Sequence, residues 1–330
     1  MDNIPKTTIQ EVITALLDDS QIFPANFLHH LSGLEGEALE SLAKVWSQID
    51  PVRRKALFED MNTLAELDYS LDFTLAAQIG LGDPAADIRL AALELLYESD
   101  KKGLVQRIIQ LVSTDTDNHV RAKAASVLGR YVYLGEMEEI DPATYDQVQN
   151  QLLEAYEQDG HTLVRRRALE ALGFSCHTAV PDMITSAVES GNDDWLVSAL
   201  FAMGRSGNAR WESVILEHLN HSNLEVRREA IRAAGELYLD EAQRTLMKLL
   251  DEEDAEIRLE TVWALSNIGG QGVRNAFEGL LEDCDDDEEA DLITAAMDNL
   301  SFAEHVSSFD LLDINLDDLL ENEEDWEENL

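Results

Sequence analysis

An aliphatic residue followed by arginine, then by small residues at helical spacing, returns repeatedly along this chain. It appears as Ile88-Arg89 with Ala92, Val120-Arg121 with Ala124, and Val164-Arg165 with Ala168, Ala171 and Leu172. Val226-Arg227 with Ala230 and Ala233, and Ile257-Arg258 with Ala264 and Leu265, repeat it. A degraded copy has Trp195-Leu196 followed by Ala199 and Ala202, and a last copy runs from Leu292 through Ala296 to Leu300. The marks fall at 88, 120, 164, 195, 226, 257 and 292, so three successive steps are 31 residues long. Such a step accommodates two helices and their turns, and a lone helical hairpin cannot bury both of its apolar faces. The copies must stack, which makes the chain an all-α solenoid.

One copy shows the internal plan. Glu241–Leu250 places Ala242, Leu246, Leu249 and Leu250 on one face, Asp251–Asp254 is a polar turn, and Ile257–Ile268 is the second helix. Gly269-Gly270 reads as the stop, since glycine tolerates the left-handed conformation common just past a helix end. Gly129, Gly173, Gly204 and Gly235 hold the comparable place in other copies. The step of 44 residues contains Tyr133–Asp146, where Gly135 and Asp141-Pro142 predict a longer loop. The step of 35 absorbs the acidic run Asp283–Glu289.

This pattern resembles the HEAT-repeat superfamily, particularly the bacterial HEAT-like units also seen in phycobilisome lyase subunits. The resemblance covers about residues 84–302, and Val52-Arg53 with Ala56 suggests a worn copy nearer the start. Residues 7–31, including Ile9, Val12, Leu16, Leu17, Phe27, Leu28 and Leu31, are expected to form an atypical capping hairpin. The resemblance implies a right-handed α-solenoid of stacked helical hairpins. Residues 1–69 would be a helical cap with the degenerate repeat, 70–302 the solenoid, and 303–330 an acidic, disordered tail. It also implies a structural ladder between hairpins. Asp83, Asp115 and Asp159 each lie six residues before Arg89, Arg121 and Arg165, and Arg227 and Arg258 continue the series.

Charge narrows the partners. The chain holds 67 acidic and 24 basic residues, a formal charge of −43, with 45% hydrophobic residues. That apolar share supports a core. The charge opposes nucleic acid and anionic membranes, because phosphate binding draws its energy from Lys and Arg. Residues 275–330 carry 21 Asp and Glu and no Lys or Arg, so about half of the excess charge sits there. Cys176 and Cys284 are too few for a disulfide framework and lack metal-ligand spacing. No apolar run approaches the roughly 18 residues of a membrane helix, and the opening Met1-Asp2-Asn3-Ile4-Pro5 lacks a basic stretch before an apolar one. A cytoplasmic chain is expected.

Catalytic signatures are not apparent. Some HEAT-like hydroxylases bind paired irons through His-Glu dipeptides, and this sequence has none. Its eight histidines offer no pair on one turn suited to zinc, and the turn near Asn220–Asn223 is expected to separate His218 from His221. No nucleophile elbow or phosphate-cradling loop occurs. Asp313, Asn315, Asp317, Glu321 and Glu324 match part of a calcium loop, but Asp318 stands where its sharp turn needs glycine. No catalytic residue, metal or cofactor is expected.

The expectation is therefore a non-catalytic scaffold or adaptor that binds another protein on the concave face, lined by the second helices. Six residues after each aliphatic mark stand Glu94, Ser126, Glu170, Phe201, Arg232 and Trp263. Phe201 and Trp263 are the candidate contacts, with Arg205 one turn after Phe201, Arg228 one turn before Arg232, and Arg210 and Trp211 opening the next hairpin. A rotated helix would instead bury both aromatics in the core. Residues 303–330 alternate apolar and acidic clusters, and could dock into the protein's own groove, bind another protein, or only solubilise the chain. The alternative is a lyase- or chromophore-attachment-type accessory factor, which the resemblance alone suggests.

Overall fold

A computed structural model describes residues 7–282 and 284–308, with side chains as far as Ser301. The tail positions from 309 onward, including the partial calcium loop, lie outside the described residues. Among the described residues every regular element is helical. The chain divides into two compact units, Met1–Ala202 and Met203–Leu330.

The first unit opens with α1 (Ile9–Leu17), a 3-10 segment Ala25–Leu31, α2 (Gly36–Val45) and α3 (Pro51–Leu67). Hairpins follow: α4 (Thr74–Gly80) with α5 (Ala86–Leu95), α6 (Val105–Thr114) with α7 (Asn118–Glu136), and α8 (Pro142–Gln158) with α9 (Thr162–Ala171). Next come α10 (Val180–Glu189) and α11 (Asp193–Arg205), within which the division falls. The second unit pairs α12 (Glu212–His218) with α13 (Leu224–Glu236), α14 (Gln243–Leu249) with α15 (Ala255–Ile268), and α16 (Val273–Glu282) with α17 (Asp287–Ser308).

Within each unit the second helices pack in sequence, α3 on α5 on α7 on α9, and α13 on α15 on α17. Polar caps set where they start. Asp117 accepts from the amides of His119 and Val120, Asn223 from Glu225, and Asp254 from Ile257. The repeat arginine is then the fourth residue of α3, α5, α7, α9, α13 and α15 alike. The preceding aliphatic residues Ile88, Val120, Val164, Val226 and Ile257 are buried. So are Ala242, Leu246, Leu249 and Leu250 of the first helix that the 31-residue plan singled out.

Four expectations need correction. The worn copy is Arg53-Arg54, not Val52-Arg53. Val52 is 77% exposed, whereas Arg54 holds the fourth position of α3 and is 5% exposed. In the last copy Leu292 faces solvent at 53% exposure while Ile293 and Leu300 are buried, because α17 already begins at Asp287. The expected loop over 133–146 is helical at both ends: α7 runs to Glu136 and α8 starts at Pro142, capped by Asp141. The extra residues lengthen two helices instead.

The fourth correction concerns glycine. Gly269 and Gly270 do end α15 at positive φ (71° and 105°), but Gly129, Gly173, Gly204 and Gly235 have no positive φ. Gly129, Gly204 and Gly235 lie within their helices and serve close approach. A Cβ on Gly235 would meet the Trp263 ring at 2.7 Å and Ala264 Cα at 2.8 Å, and one on Gly129 would meet Ala171 Cα at 3.2 Å. These contacts allow neighbouring second helices to meet nearly backbone to backbone.

This reverses the usual effect of alanine in a helix. Gly235→Ala should destabilise the protein by roughly 1–3 kcal/mol through overpacking. Gly279→Ala in α16, where a Cβ meets nothing within 4 Å, should stabilise it by about 0.5–1 kcal/mol. Urea unfolding of the two variants checks the opposed signs.

Candidate interaction surface

Two sets of polar links join successive hairpins, and together they determine which charges remain available at the surface. The first set uses the arginine at the fourth helical position. Arg89 donates from Nε and Nη2 to the two carboxylate oxygens of Asp115, both at 2.7 Å, while its Nη1 donates to the Asp83 carbonyl at 2.8 Å. Arg121 repeats this with Asp159 at 2.7 and 3.0 Å and with the Asp115 carbonyl at 3.0 Å. Each arginine thus grips the backbone of its own turn and the carboxylate of the next copy. The aspartates also hold their own turns: Asp115 accepts the amide of Asp117 at 2.9 Å, and Asp159 that of His161 at 2.8 Å. Asp83, 3% exposed, accepts from Arg54 and from Trp46 Nε1.

The series varies after Asp159. Ser190 stands where the carboxylate for Arg165 would be. Arg165 donates instead to the Tyr156 carbonyl at 2.7 Å, and its guanidinium lies 5.7 Å from the ring centre of Tyr156 and 5.6 Å from that of Trp195. Arg227 donates to the His221 carbonyl at 2.9 Å and keeps a buried Nε without an acceptor. Arg258 reaches Glu289 at 3.1 and 3.2 Å and the Glu252 carbonyl at 2.9 Å.

The second set lies on the second helices and was not anticipated from sequence. In the second unit, Arg228 pairs with Glu256 and Glu225, and Arg232 with Glu260 through bonds of 3.0 and 2.7 Å. In the first unit, Arg166 pairs with Asp194 at 3.1 Å, and Ser198 Oγ donates to buried Glu170 at 2.6 Å. All of these inter-helix partners are 28 residues apart, one repeat less one helical step, so the spacing was a usable signal. The Glu260 carboxylate raises the already high pKa of Arg232 further.

The named contact residues separate accordingly. Trp263 is 40% exposed beside Gly235, and Arg210 is exposed with its guanidinium 4.7 Å from the Trp211 ring centre. Arg205, Arg228 and Arg232 are partly buried on this unit's second helices. Trp211 is 6% exposed and belongs to the core, so the surface role expected for it is corrected: it precedes α12 and packs inward. Phe201, in the first unit, is partly buried. His218 and His221 also depart from expectation: the turn leaves their ring centres 5.8 Å apart, although no three potential metal ligands gather anywhere among the described residues. Nor is any described helix long and apolar enough to cross a membrane.

Glu236 has a raised pKa, with desolvation the leading cause, opposed by Arg205 and Arg232 and reinforced by Glu260. Its folded pKa exceeds its unfolded value, so its favourable contribution is full below the unfolded pKa and is lost as pH rises through the folded one. Glu236→Gln should therefore stabilise the protein at pH 7, with the gain shrinking as pH falls toward 4; paired melting curves test this. Asp115→Ala should cost roughly 3 kcal/mol by stranding Arg89. Adding Arg89→Ala should cost much less, which a double-mutant cycle in urea measures.

Residues 212–298 match the family described as HEAT repeats. No curated protein sequence matches the chain. Among solved structures, it is similar to the Escherichia coli protein YibA at 18% identity and a TM-score of 0.43, over 84% of this chain and 96% of that one. Importin beta gives 12% identity and 0.43, over 88% of this chain and 46% of its own. Human deoxyhypusine hydroxylase gives 18% and 0.35, over 79% and 95%. The phycobilisome-lyase type of unit is not singled out. Residues 212–298, which match HEAT repeats, carry the Arg–Glu links and Trp263, and the earlier hairpins of the described, all-helical residues place arginine at the same helical position.

Proposed function

We propose that the protein is a non-catalytic scaffold that docks another protein on the second-helix face of its second unit, with Trp263 as the anchor. The half-exposure of Trp263 carries this reading. Trp46 and Trp211 are 5% and 6% exposed and Trp195 is partly buried, while Trp263 keeps 40% of its surface in water. A rigid indole supported from beneath by a glycine backbone offers large contact area at little entropic cost. Arg228 and Arg232 are already neutralised by Glu256 and Glu260, so they would act as oriented donors at the rim rather than as free positive charge. Such a paired surface favours a protein partner over phosphate-rich ligands.

The test is capture from a native extract on the immobilised chain. Trp263→Ala should reduce recovery of the specific partner at least tenfold with unchanged far-ultraviolet circular dichroism, and Trp263→Phe should restore part of it. Equal recovery with Trp263→Ala would remove this face from consideration. Trp211→Ala should behave differently, losing about 3–5 kcal/mol of stability as a core truncation.

A further inference from the structure

A second concavity lies in the first unit, between the carboxyl ends of α3 and α5 and the loops that follow them. It encloses about 600 Å³, within the size range of specific binding clefts. Its floor is apolar: Phe73 is 3% exposed, and Leu71, Leu95 and Tyr97 are partly buried. Tyr69 stands at the edge with 93% of its surface exposed, and its neighbour Leu67 is 79% exposed.

The rim is acidic. Glu66, Asp72, Glu94, Glu98 and Asp100 line it, with Lys101, whose Nζ is 3.5 Å from Asp72, among them. Both helices also direct their carboxyl ends here, which adds the partial negative charge of the helix dipoles. One wall already holds an ammonium group: Lys123 Nζ lies 4.6 Å from the Tyr97 ring centre and is paired with Glu94.

The cleft is preformed. The Asp68 carboxylate accepts the Ser70 amide at 2.9 Å, Asp72 accepts the Thr74 amide at 2.9 Å, and the Asp72 carbonyl accepts the Gly33 amide at 2.7 Å. These bonds fix the loop that carries Tyr69, so a ligand would meet little ordering cost.

We infer that this cleft is a docking groove for a short segment of another protein that carries Lys or Arg on either side of an apolar or aromatic residue. Charge complementarity selects the basic flanks, and the floor of Phe73, Leu71 and Tyr97 selects the apolar centre. The inference is independent of the role assigned to Trp263.

The probe is a fluorescent, amidated octapeptide of sequence GKLKFKRG, compared with a control in which serine replaces its leucine and phenylalanine. Anisotropy is read with the full chain at physiological salt. The apolar peptide should bind at least fivefold more tightly than the serine control, and Tyr69→Ser should abolish that preference. Glu66→Lys with Glu98→Lys should weaken binding at least tenfold. Glu278→Lys with Glu282→Lys, an equal charge change on exposed positions of α16, should weaken it less than twofold. Amide exchange should slow over residues 66–74 and 94–101. Equal losses in both charge-reversed variants would show non-specific attraction to an acidic protein and overturn the inference. So would an unchanged preference in Tyr69→Ser, or a dimer of the free chain that Tyr69→Ser dissolves, since the occupant would then be a second copy. Circular dichroism identifies any variant that fails to fold, and Tyr69→Ser, which alters no buried group, keeps the test decisive.

Discussion

A guanidinium placed between two layers of helix needs acceptors on several sides, and Arg89, Arg121 and Arg258, at the fourth position of α5, α7 and α15, find them in two places. One acceptor is a carbonyl of its own turn; the other is a carboxylate supplied by the following copy, as in Arg89 with Asp115 and Arg121 with Asp159. Apolar burial alone would permit adjacent hairpins to slide along a smooth interface of alanine and leucine. The fork geometry of arginine fixes one register, since both parallel bonds are lost with a displacement of one residue. The aspartate also caps its own turn, so hairpin shape and hairpin stacking depend on the same carboxylate.

That register has consequences on the second-helix side. With helices brought within alanine and glycine distance, long side chains from one helix reach the next. Arg228 and Arg232 then meet glutamates 28 residues later instead of projecting freely. The same proximity seats Trp263 above Gly235, where half of it is buried and the remainder faces water. What the second unit presents is therefore a neutralised surface around one aromatic, whereas the first unit presents an acidic cleft around Tyr69.

The helical class and the stacking of hairpins were legible because their signal repeats. The 31-residue interval and the buried residues Ala242, Leu246, Leu249 and Leu250 required only periodicity. Errors arose where one residue changes the meaning of a pattern. Val52 and Leu292 are apolar but exposed, so counting from aliphatic marks misplaced one copy by one residue and the other by three, while counting from the helix start puts Arg54 and Ala290 at the fourth position. Trp211 and Trp263 are equal in composition, and only the direction each takes from its backbone separates core from surface. The Tyr69 cleft left no trace in the sequence because its walls come from two helix ends and two loops, and concavity is not a local property.

The two-sided grip of the arginine also bears on how such a chain can change in length. The hairpin with Asp115 and Arg121 carries a donor for the hairpin after it and an acceptor for the one before. A duplicated hairpin would arrive with both halves of its joints and could be inserted without inventing new chemistry. The last described repeat has Ala290 at the fourth position of α17, as α11 has Leu196, where the other second helices have arginine. It accepts through Glu289 but offers no such donor onward, so gene duplication would extend this fold from its interior more readily than from that hairpin.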